Sequence, residues 1–209
     1  MKLFYRFFQL GPIGFLQCLT QKYLLRRIVK KYQLDPWHAT APYQCRPYKA
    51  QVVKMVNATS PNSVLEIGCG LGDIVSRIQA KNKFGVDLDP MVIKVAKELH
   101  GQRAIFTEIS LGSSEIKKLI ESKSIDFLLM CNWPHTLEWA DLNAQVEKLL
   151  FNDSLKYILV DGIPESIRKD CFHHGMSEFS RWGRIVQNKL SPEGDRILYL
   201  IDVKPSLSV

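Results

Sequence analysis

The stretch VLEIGCGLGD, residues 64–73, joins an apolar strand, a glutamate and three glycines. A strand that runs into glycines and then into a helical pattern places backbone N–H groups beside the carboxyl edge of a sheet. Gly68, Gly70 and Gly72 allow a tight turn and let a ligand touch the main chain where any Cβ would intrude. The stretch therefore predicts a ligand-binding loop in an α/β fold.

The spacing and the charge of this loop argue against a phosphate ligand. Its glycines follow G-x-G-x-G, whereas dinucleotide-binding loops use G-x-G-x-x-G, and the G-K-[ST] signature of nucleoside-triphosphate loops does not occur. Glu66 places a negative charge beside the loop, which repels a pyrophosphate and favours a cationic ligand.

A second landmark is FGVDLDP, residues 84–90. Asp87 ends the next predicted strand about 20 residues after the glycines begin, the separation at which an acid accepts the hydroxyls of a ribose. Asp89 precedes a proline and a helical pattern, so we interpret it as a helix N-cap. Together the two landmarks predict a nucleoside ligand that carries a positive charge.

Short apolar runs alternate with helical patterns from Ser63 onward. Strands separated by helices of this length need crossover connections, which predicts a parallel sheet covered on both faces. The turn SPEGD joins the last two strands into an antiparallel hairpin. The predicted strands are 63–67, 83–86, 104–106, 125–131, 157–160, 183–190 and 196–203. The predicted helices are 20–32, 47–57, 73–79, 90–99, 114–121 and 137–150.

The E-x-G-x-G-x-G loop and the G-V-D strand end resemble those of class I S-adenosylmethionine (SAM)-dependent methyltransferases, over about residues 47–203. The resemblance implies a Rossmann-like sheet, mostly parallel with a terminal antiparallel hairpin, and SAM as cofactor. It also implies that the three glycines back the methionine moiety, that Glu66 orients its amino group through the loop or a water, and that Asp87 binds the ribose. Family members often carry an acid after the third strand that meets the adenine amine, and Glu108 is the nearest candidate.

The segment CNWPHTLEWADL, residues 131–142, follows the apolar run FLLM, where the acceptor site of an open α/β sheet is expected. Its residues Asn132, Trp133, Pro134 and His135 resemble an altered form of the N-P-P-Y loop of methyltransferases that act on planar amides and exocyclic amines. His135, with an ordinary pKa near 6.5, suits a general base for a hydroxyl acceptor.

Asp161 ends the fifth predicted strand at the same edge of the sheet, where it would orient His135 or hold a sugar hydroxyl. Structural interpretations stay open for all three candidate catalytic residues. His135 would cap the following helix or pack beside Trp139, Asn132 would be a turn residue, and Asp161 would form a D-G turn.

A segment rich in proline and aromatic residues, 34–49, precedes the domain, and its chemistry predicts a lid over the acceptor. The candidate lid residues are Trp37, His38, Tyr43, Arg46 and Tyr48. Elsewhere, His173 and His174 lack a ligand partner at metal spacing, so no metal site is predicted.

The net charge of +7 is concentrated at the start of the chain. Residues 1–34 hold seven Lys and Arg and no acid, and the remaining basic residues equal the 21 acidic ones in number. We therefore divide the chain into a basic extension and lid, residues 1–46, and a SAM-binding domain, residues 47–209. A nucleic-acid partner is disfavoured, because the main domain is neutral and shows no basic stripe.

The basic extension contains an amphipathic helix, residues 20–32, that permits two interpretations. It covers part of the core while its basic face is solvated, or it makes peripheral contact with anionic lipid through residues 1–31. In the second case Phe4, Tyr5, Phe7 and Phe8 would insert into the bilayer. No run reaches the roughly 18 apolar residues that span a membrane.

The five cysteines are scattered and form no C-x-x-C pair, so we expect reduced thiols and a cytoplasmic protein, peripheral at the inner membrane face if the extension binds lipid.

These patterns favour SAM-dependent methylation of a small-molecule or glycan acceptor, as O-methylation with His135 as base. The motifs DPWH, RPYK and NWPH also resemble small methyltransferases associated with surface polysaccharide synthesis. Two alternatives stay open. One is an N-methyltransferase for nucleic acid or protein that uses the loop at residues 132–135, and the other is a non-catalytic SAM-binding partner protein.

Overall fold

The computed structural model describes residues 2–39 and 42–204, with side chains for 10–38 and 42–204. The helices are α1 (Lys2–Tyr32), α2 (Pro47–Asn57), α3 (Pro90–His100), α4 (Ser114–Ser122), α5 (Trp139–Leu150) and α6 (Met176–Phe179). The strands are β1 (Ser63–Ile67), β2 (Asn82–Asp87), β3 (Ile105–Glu108), β4 (Phe127–Met130), β5 (Tyr157–Gly162), β6 (Arg184–Leu190) and β7 (Ile197–Asp202).

The strands form one seven-stranded sheet in the order β3-β2-β1-β4-β5-β7-β6. Strands β1 to β5 pair in parallel, and β7 runs antiparallel to both β5 and β6. The predicted fold class, a Rossmann-like sheet with a terminal antiparallel hairpin and an N-terminal helix, is confirmed. The chain order reverses between β1 and β4, and their carboxyl ends open the crevice where open α/β sheets bind ligands.

The central strands β1 and β4 are buried at every position, as strands covered on both faces must be. On one face Leu65 and Met130 join a core that includes Ile116 and Leu142 from the helices. On the other face Leu129 packs with residues of α2. The two cores hold the ends of β1 and β4 in fixed positions beside each other.

The predicted helix at residues 73–79 is wrong. The chain instead makes a short 3-10 turn, Val75–Arg77, and Ile78 is already extended with ψ of 143°. Three β-branched residues in seven disfavour a helix of this length, and Ile74 and Ile78 gain burial in the core instead. The small helix α6 was not predicted.

Helix α1 lies against the domain, with a break at Gly11, whose φ is 67°. Leu25, Ile28 and Tyr32 pack with the buried Val29 against a cluster that includes Val92 of α3. This packing agrees with the first interpretation of the amphipathic helix, in which it covers part of the core. Among the residues described, no helix is long and apolar enough to cross a bilayer.

Cys18 of α1 and Cys45 form a disulfide, with their Cα atoms 5.0 Å apart. The prediction of five reduced thiols is therefore wrong for these two residues. The pairing was not readable from their separation of 27 residues, because it depends on how α1 folds back over the domain. Since thiols were the basis for a reducing compartment, the cytoplasmic location stays a prediction without that support.

Candidate active site

Two cavities lie at the carboxyl ends of β1 and β4, and they meet at Gly68 and Trp37. The first is narrow, about 60 Å³, and lies over the glycine loop between α2 and the β4 end. The second is wider, about 440 Å³, and extends towards the ends of β2 and β3. We call them the loop cavity and the β2 cavity.

The three glycines of the loop all have positive φ, but their surroundings differ. Gly68 and Gly70, with φ of 66° and 52°, line the loop cavity. A Cβ on Gly70 would meet no protein atom nearer than His38 Nδ1 at 3.9 Å, so the space over it belongs to the cavity. A Cβ on Gly72 would lie 2.5 Å from Phe106 Cζ, which makes this glycine a packing residue.

Glu66 stabilises the chain that follows the glycine loop through a hydrogen bond. Its Oε2 accepts a hydrogen bond from the Val75 N–H at 2.9 Å, and the residue is 3% exposed. Burial raises the pKa of Glu66 to about 8, although the bond from Val75 opposes that rise. This carboxyl group therefore fixes the chain after the loop, and it also lines the loop cavity.

The raised pKa of Glu66 predicts a pH-dependent stability. Between its ordinary value of 4.5 and about 8, the folded chain keeps a proton that the unfolded chain releases. The free energy of unfolding therefore falls as pH rises through this window, by up to about 1.4 kcal/mol per pH unit. Glu66→Gln keeps an oxygen acceptor for Val75 but does not titrate.

We accordingly expect the Glu66→Gln variant to gain stability over the wild-type chain as the pH rises through that window. Urea unfolding of both proteins at several pH values measures the difference, and other titrating groups cancel in it. A stability difference that does not change with pH would contradict the assignment.

Asp87 lines the β2 cavity, where its carboxylate is anchored by two backbone donors. The N–H of Gly70 lies 2.9 Å from Oδ2, and the N–H of Asp89 lies 3.2 Å from Oδ1. Asp89 is the N-cap of α3, as the sequence indicated, since its side chain accepts from Met91 and Val92. Asp87, at the end of β2, is thus hydrogen-bonded directly to the glycine loop.

Glu108 pairs with Asp87 in the register of β2 and β3, but its side chain is exposed. The β2 cavity is lined at this end by the next three residues, Ile109, Ser110 and Leu111. The structure therefore does not bring Glu108 to the cavity, and its adenine contact remains a prediction.

The loop after β4 places Asn132 and Trp133 at different cavities. Asn132 has a φ of 72° and lines the loop cavity. Trp133 lines the β2 cavity, donates from Nε1 to the Ile67 carbonyl at 2.6 Å, and lies where a Cβ on Gly68 would be. Trp133, which stands at the second position of the N-P-P-Y pattern, thus packs against the backbone of Gly68.

Asp161 is buried and committed to two partners. Its Oδ1 accepts from the Asn132 N–H at 2.8 Å, and its Oδ2 pairs with Arg196 at 2.6 Å. Arg196 also donates to Asn132 Oδ1 at 3.2 Å. Burial opposes the charge of Arg196, but the Asp161 carboxylate outweighs it and raises the arginine pKa. Asp161 therefore orients Asn132, and not His135 as one prediction had it.

Arg196 is a site residue that no sequence motif indicated. Its guanidinium lies 4.1 Å from the centre of the Tyr48 ring, and Arg46 lies 4.9 Å from the same ring. Burial raises the pKa of the Tyr48 phenol, although Arg196 opposes this. The available signal was an arginine at the start of the apolar run ILYLI, since a buried charge there needs an acid partner.

His135 lines neither cavity, although Trp133 and Thr136 on either side of it line the β2 cavity; it is 7% exposed, and its Nε2 is 3.3 Å from Arg168. Its Nδ1 is buried without a hydrogen-bond partner. Burial lowers the pKa of His135, opposed by the Asp161 carboxylate. The structure therefore does not place the predicted base beside the glycine loop.

The residues of the predicted lid lie in two different places in the structure. Trp37, His38 and Tyr48 line the loop cavity, and the Trp37 and His38 rings stack at 3.8 Å. Tyr43 instead lies under Arg77, 4.2 Å from its guanidinium carbon. Burial lowers the pKa of His38, opposed by Asp87.

The residues of the two cavities fit SAM. Bare backbone at Gly70 faces the loop cavity, and Asp87 lies at the wall of the β2 cavity. Glu66 and Asp73 also line the loop cavity, where their oxygens can accept hydrogen bonds from an ammonium group; Glu66 is largely protonated at neutral pH and Asp73 is paired with Lys49, which lines the same cavity.

Comparisons with known proteins agree with this geometry. Residues 65–155 match the family model of the methyltransferase domain. The N-methyltransferase NodS of Bradyrhizobium japonicum WM9, solved with S-adenosyl-L-homocysteine (SAH), is similar with a TM-score of 0.63 and 13% identity, over 80% of this chain and 91% of that one. The magnesium protoporphyrin IX methyltransferase ChlM of Synechocystis PCC 6803, also with SAH, gives a TM-score of 0.59 and 12% identity, over 74% and 82%.

At these identities the structural likeness is one of fold. An O-methyltransferase family protein of Burkholderia thailandensis is similar as well, with a TM-score of 0.54 and 11% identity, over 74% of this chain and 56% of that one. A stretch of 75 residues is 39% identical to part of TOM1-like protein 8 of Arabidopsis thaliana, and it covers 35% of this chain and 12% of that protein. This chain therefore spans a small part of that relative's length.

The fold is thus one that SAM-dependent methyltransferases solved with SAM or SAH share, and residues 65–155 match a methyltransferase domain.

Proposed function

We propose that the chain transfers a methyl group from SAM to a small-molecule or glycan acceptor that binds beside Asn132, at the edge of the loop cavity that holds the methionine side of the cofactor. One observation supports this proposal: the two cavities meet at Gly68, with the acid Asp87 lining one and the polar residues Asn132 and Tyr48 lining the other. A nucleoside held in the β2 cavity would thus point its methionine side towards groups that can bind an acceptor.

When bound, SAM supplies a methyl group already activated by its sulfonium, so the protein contributes mainly proximity and alignment. In this proposal Asp87 accepts the ribose hydroxyls, the backbone at Gly70 backs the methionine moiety, and Glu66 keeps the loop in place. Trp37 and His38, which line the loop cavity, would exclude water from it once the cofactor is bound.

Asn132 is the acceptor-facing residue in this proposal, with Asp161 and Arg196 as its positioning residues. Its left-handed backbone is fixed by the bond from its N–H to Asp161, and its side-chain oxygen is fixed by Arg196. With its oxygen engaged, the amide NH₂ is the group of Asn132 left to donate to an acceptor oxygen.

A hydroxyl acceptor needs a base, and we propose His38 for this role ahead of His135. His38 lines the loop cavity, and burial lowers its pKa so that it is neutral at physiological pH, as a base must be. His135 remains the earlier candidate, but its imidazole is buried beside Arg168.

Mass spectrometry of reactions with SAM tests the proposed function. The full chain is incubated with SAM and a panel of nucleotide sugars, lipid-linked saccharides and RNA, and a product heavier by one CH₂ is sought. We expect a methylated hydroxyl on a saccharide or small molecule, lost in Asp87→Ala. His38→Asn should slow turnover much more than His135→Asn if His38 is the base.

Other outcomes of this panel would replace the proposal. Methylation of an amine in RNA would favour the N-methyltransferase alternative. SAM binding without any product would favour a non-catalytic partner protein. Equal loss in the two histidine variants would argue that neither imidazole acts as the base.

We also propose peripheral contact between α1 and an anionic bilayer. The outer face of α1 exposes Ile13, Leu16 and Tyr23, at 75%, 65% and 61%, beside exposed basic residues such as Arg26 and Lys30. The four aromatic residues first predicted to insert lie where side chains are not described. Apolar groups interleaved with cations are typical of helices that lie in the lipid interface.

Co-sedimentation with phosphatidylglycerol vesicles measures this contact. We expect binding that falls as salt is raised, because each basic residue near the surface contributes about 1 kcal/mol. Leu16→Ser with Tyr23→Ser should reduce it, whereas neutral vesicles should bind weakly. Equal binding to neutral and anionic vesicles would contradict the proposal.

A further inference from the structure

A groove separates the second half of α1 from the end of α3. At about 610 Å³ it is larger than either cofactor cavity and falls in the range of small-molecule sites. Asp73 is the residue that it shares with the loop cavity. The groove is therefore next to the proposed active site but is a separate space.

Its walls are apolar and open. Leu24 of α1 is 50% exposed and Leu99 of α3 is 39% exposed, and both line the groove. Leu25 and Ile28 complete the α1 wall and are half-buried against the core below. Side chains of this kind gain from a hydrocarbon that displaces water between them.

The rim of the groove carries an excess of positive charge. Arg27, Lys31 and Arg77 line it, and its acid, Asp73, already pairs with Lys49 at 3.0 Å and lies 3.6 Å from Arg77. Arg27 has no ion-pair partner among the residues with described side chains. The groove thus holds more cations than it can neutralise.

His100 closes the groove at the end of α3. Burial lowers the pKa of His100, so its imidazole is neutral at physiological pH and adds no charge to the groove. The positive charge of the groove therefore comes from its Arg and Lys side chains.

We propose that this groove binds an amphipathic anion, a molecule with an alkyl chain and a phosphate or carboxylate headgroup. The chain lies between Leu24 and Leu99, and the headgroup lies at Arg27 and Arg77 with His100 beneath it. Arginine suits this role because its planar fork binds the oxygens of such groups in pairs. The proposal goes beyond the methyl-transfer function and does not depend on it.

Calorimetric titration of the full chain with decyl phosphate, below its micelle concentration, tests the proposal. We expect saturable binding at one site, and affinities at least roughly tenfold weaker for inorganic phosphate and for decyl maltoside, because each lacks one half of the ligand. No binding of decyl phosphate, or equal binding of decyl maltoside, would overturn it.

Two matched pairs of variants locate the site. Arg27→Gln should weaken decyl phosphate binding roughly tenfold, whereas Arg26→Gln, an exposed neighbour outside the groove, should not. Leu24→Asn should weaken it roughly fivefold, whereas Leu19→Asn, 42% exposed on the same helix, should not. Equal effects within both pairs would mean that the anion binds the basic helix surface and not the groove.

Competition with phosphatidylglycerol vesicles then identifies the source of the ligand. Displacement of decyl phosphate assigns the groove to a membrane lipid, and no displacement assigns it to a free amphiphile. SAH titration of the same samples keeps the two sites apart, because a chain that binds decyl phosphate but not SAH retains the groove and loses the proposed function.

Discussion

Gly70→Ala is expected to weaken SAH binding by roughly 100-fold while the chain still folds. The added Cβ would clash with no protein atom, since its nearest neighbour would be His38 Nδ1 at 3.9 Å. It would, however, enter the loop cavity where the homocysteine chain of SAH would lie. Calorimetric titration with SAH measures the affinity, and thermal unfolding measures the cost to stability.

Gly194→Ala is the matched control for this variant. Gly194 lies in the β6–β7 turn with a φ of 72°, close to the 52° of Gly70, and a Cβ there would meet nothing within 4 Å. Both variants should lose about 1–2 kcal/mol of stability from the left-handed backbone, but only Gly70→Ala should lose SAH binding. Equal SAH affinity in the two variants would show that the cofactor does not lie over the loop.

Arg196→Met is expected to destabilise the fold by about 3–5 kcal/mol. Arg196 and Asp161 are 4% and 1% exposed, so the substitution leaves a buried carboxylate without its cation. Asp161→Asn in the same chain removes that charge and should recover much of the loss, because the amide oxygen still accepts from the Asn132 N–H. Urea unfolding of the single and double variants measures this coupling.

The same variants separate a positioning role from a structural one. The double variant regains stability, but its Asn132 side chain has lost the donor that fixed its oxygen. Its SAH affinity should match that of the wild-type chain, whereas its turnover with an identified acceptor should be lower. A double variant with full turnover would limit Asp161 and Arg196 to stabilising the sheet edge.

Much of the cofactor side was predictable from sequence because it is local. The strand β1 was predicted to the residue, since an apolar run bounded by a turn and a glycine loop leaves little choice. The bond between Gly70 and Asp87 follows from the same logic, because adjacent parallel strands bring their carboxyl ends together. The glycine motif and the parallel strand order therefore predict the same place for the loop and for Asp87.

The acceptor side depends on contacts between distant segments and was harder to predict. Arg196 reaches Asp161 from just before the last strand, 35 residues along the chain, and Cys18 meets Cys45 through the packing of α1. The left-handed Asn132 is bonded to both Asp161 and Arg196, and the next residue, Trp133, lines the β2 cavity. No short-range pattern encodes such contacts.

The same limit explains the short turn after the glycine loop. The sequence pattern predicts a helix over residues 73–79, but the Val75 N–H donates to Glu66 Oε2 instead of an intrahelical carbonyl, and Ile78 turns into the core. Glu66, which the sequence predicts to orient the ligand, therefore also stabilises the chain after the glycine loop through its hydrogen bond with Val75.

A crystal structure of the full chain with SAH tests the central claim most directly. We expect the ribose hydroxyls on the Asp87 carboxylate, the adenine near Ile109 and Leu111, and the homocysteine chain over Gly70. A cofactor bound elsewhere, or both cavities closed by side chains in a crystal grown with saturating SAH, would contradict it.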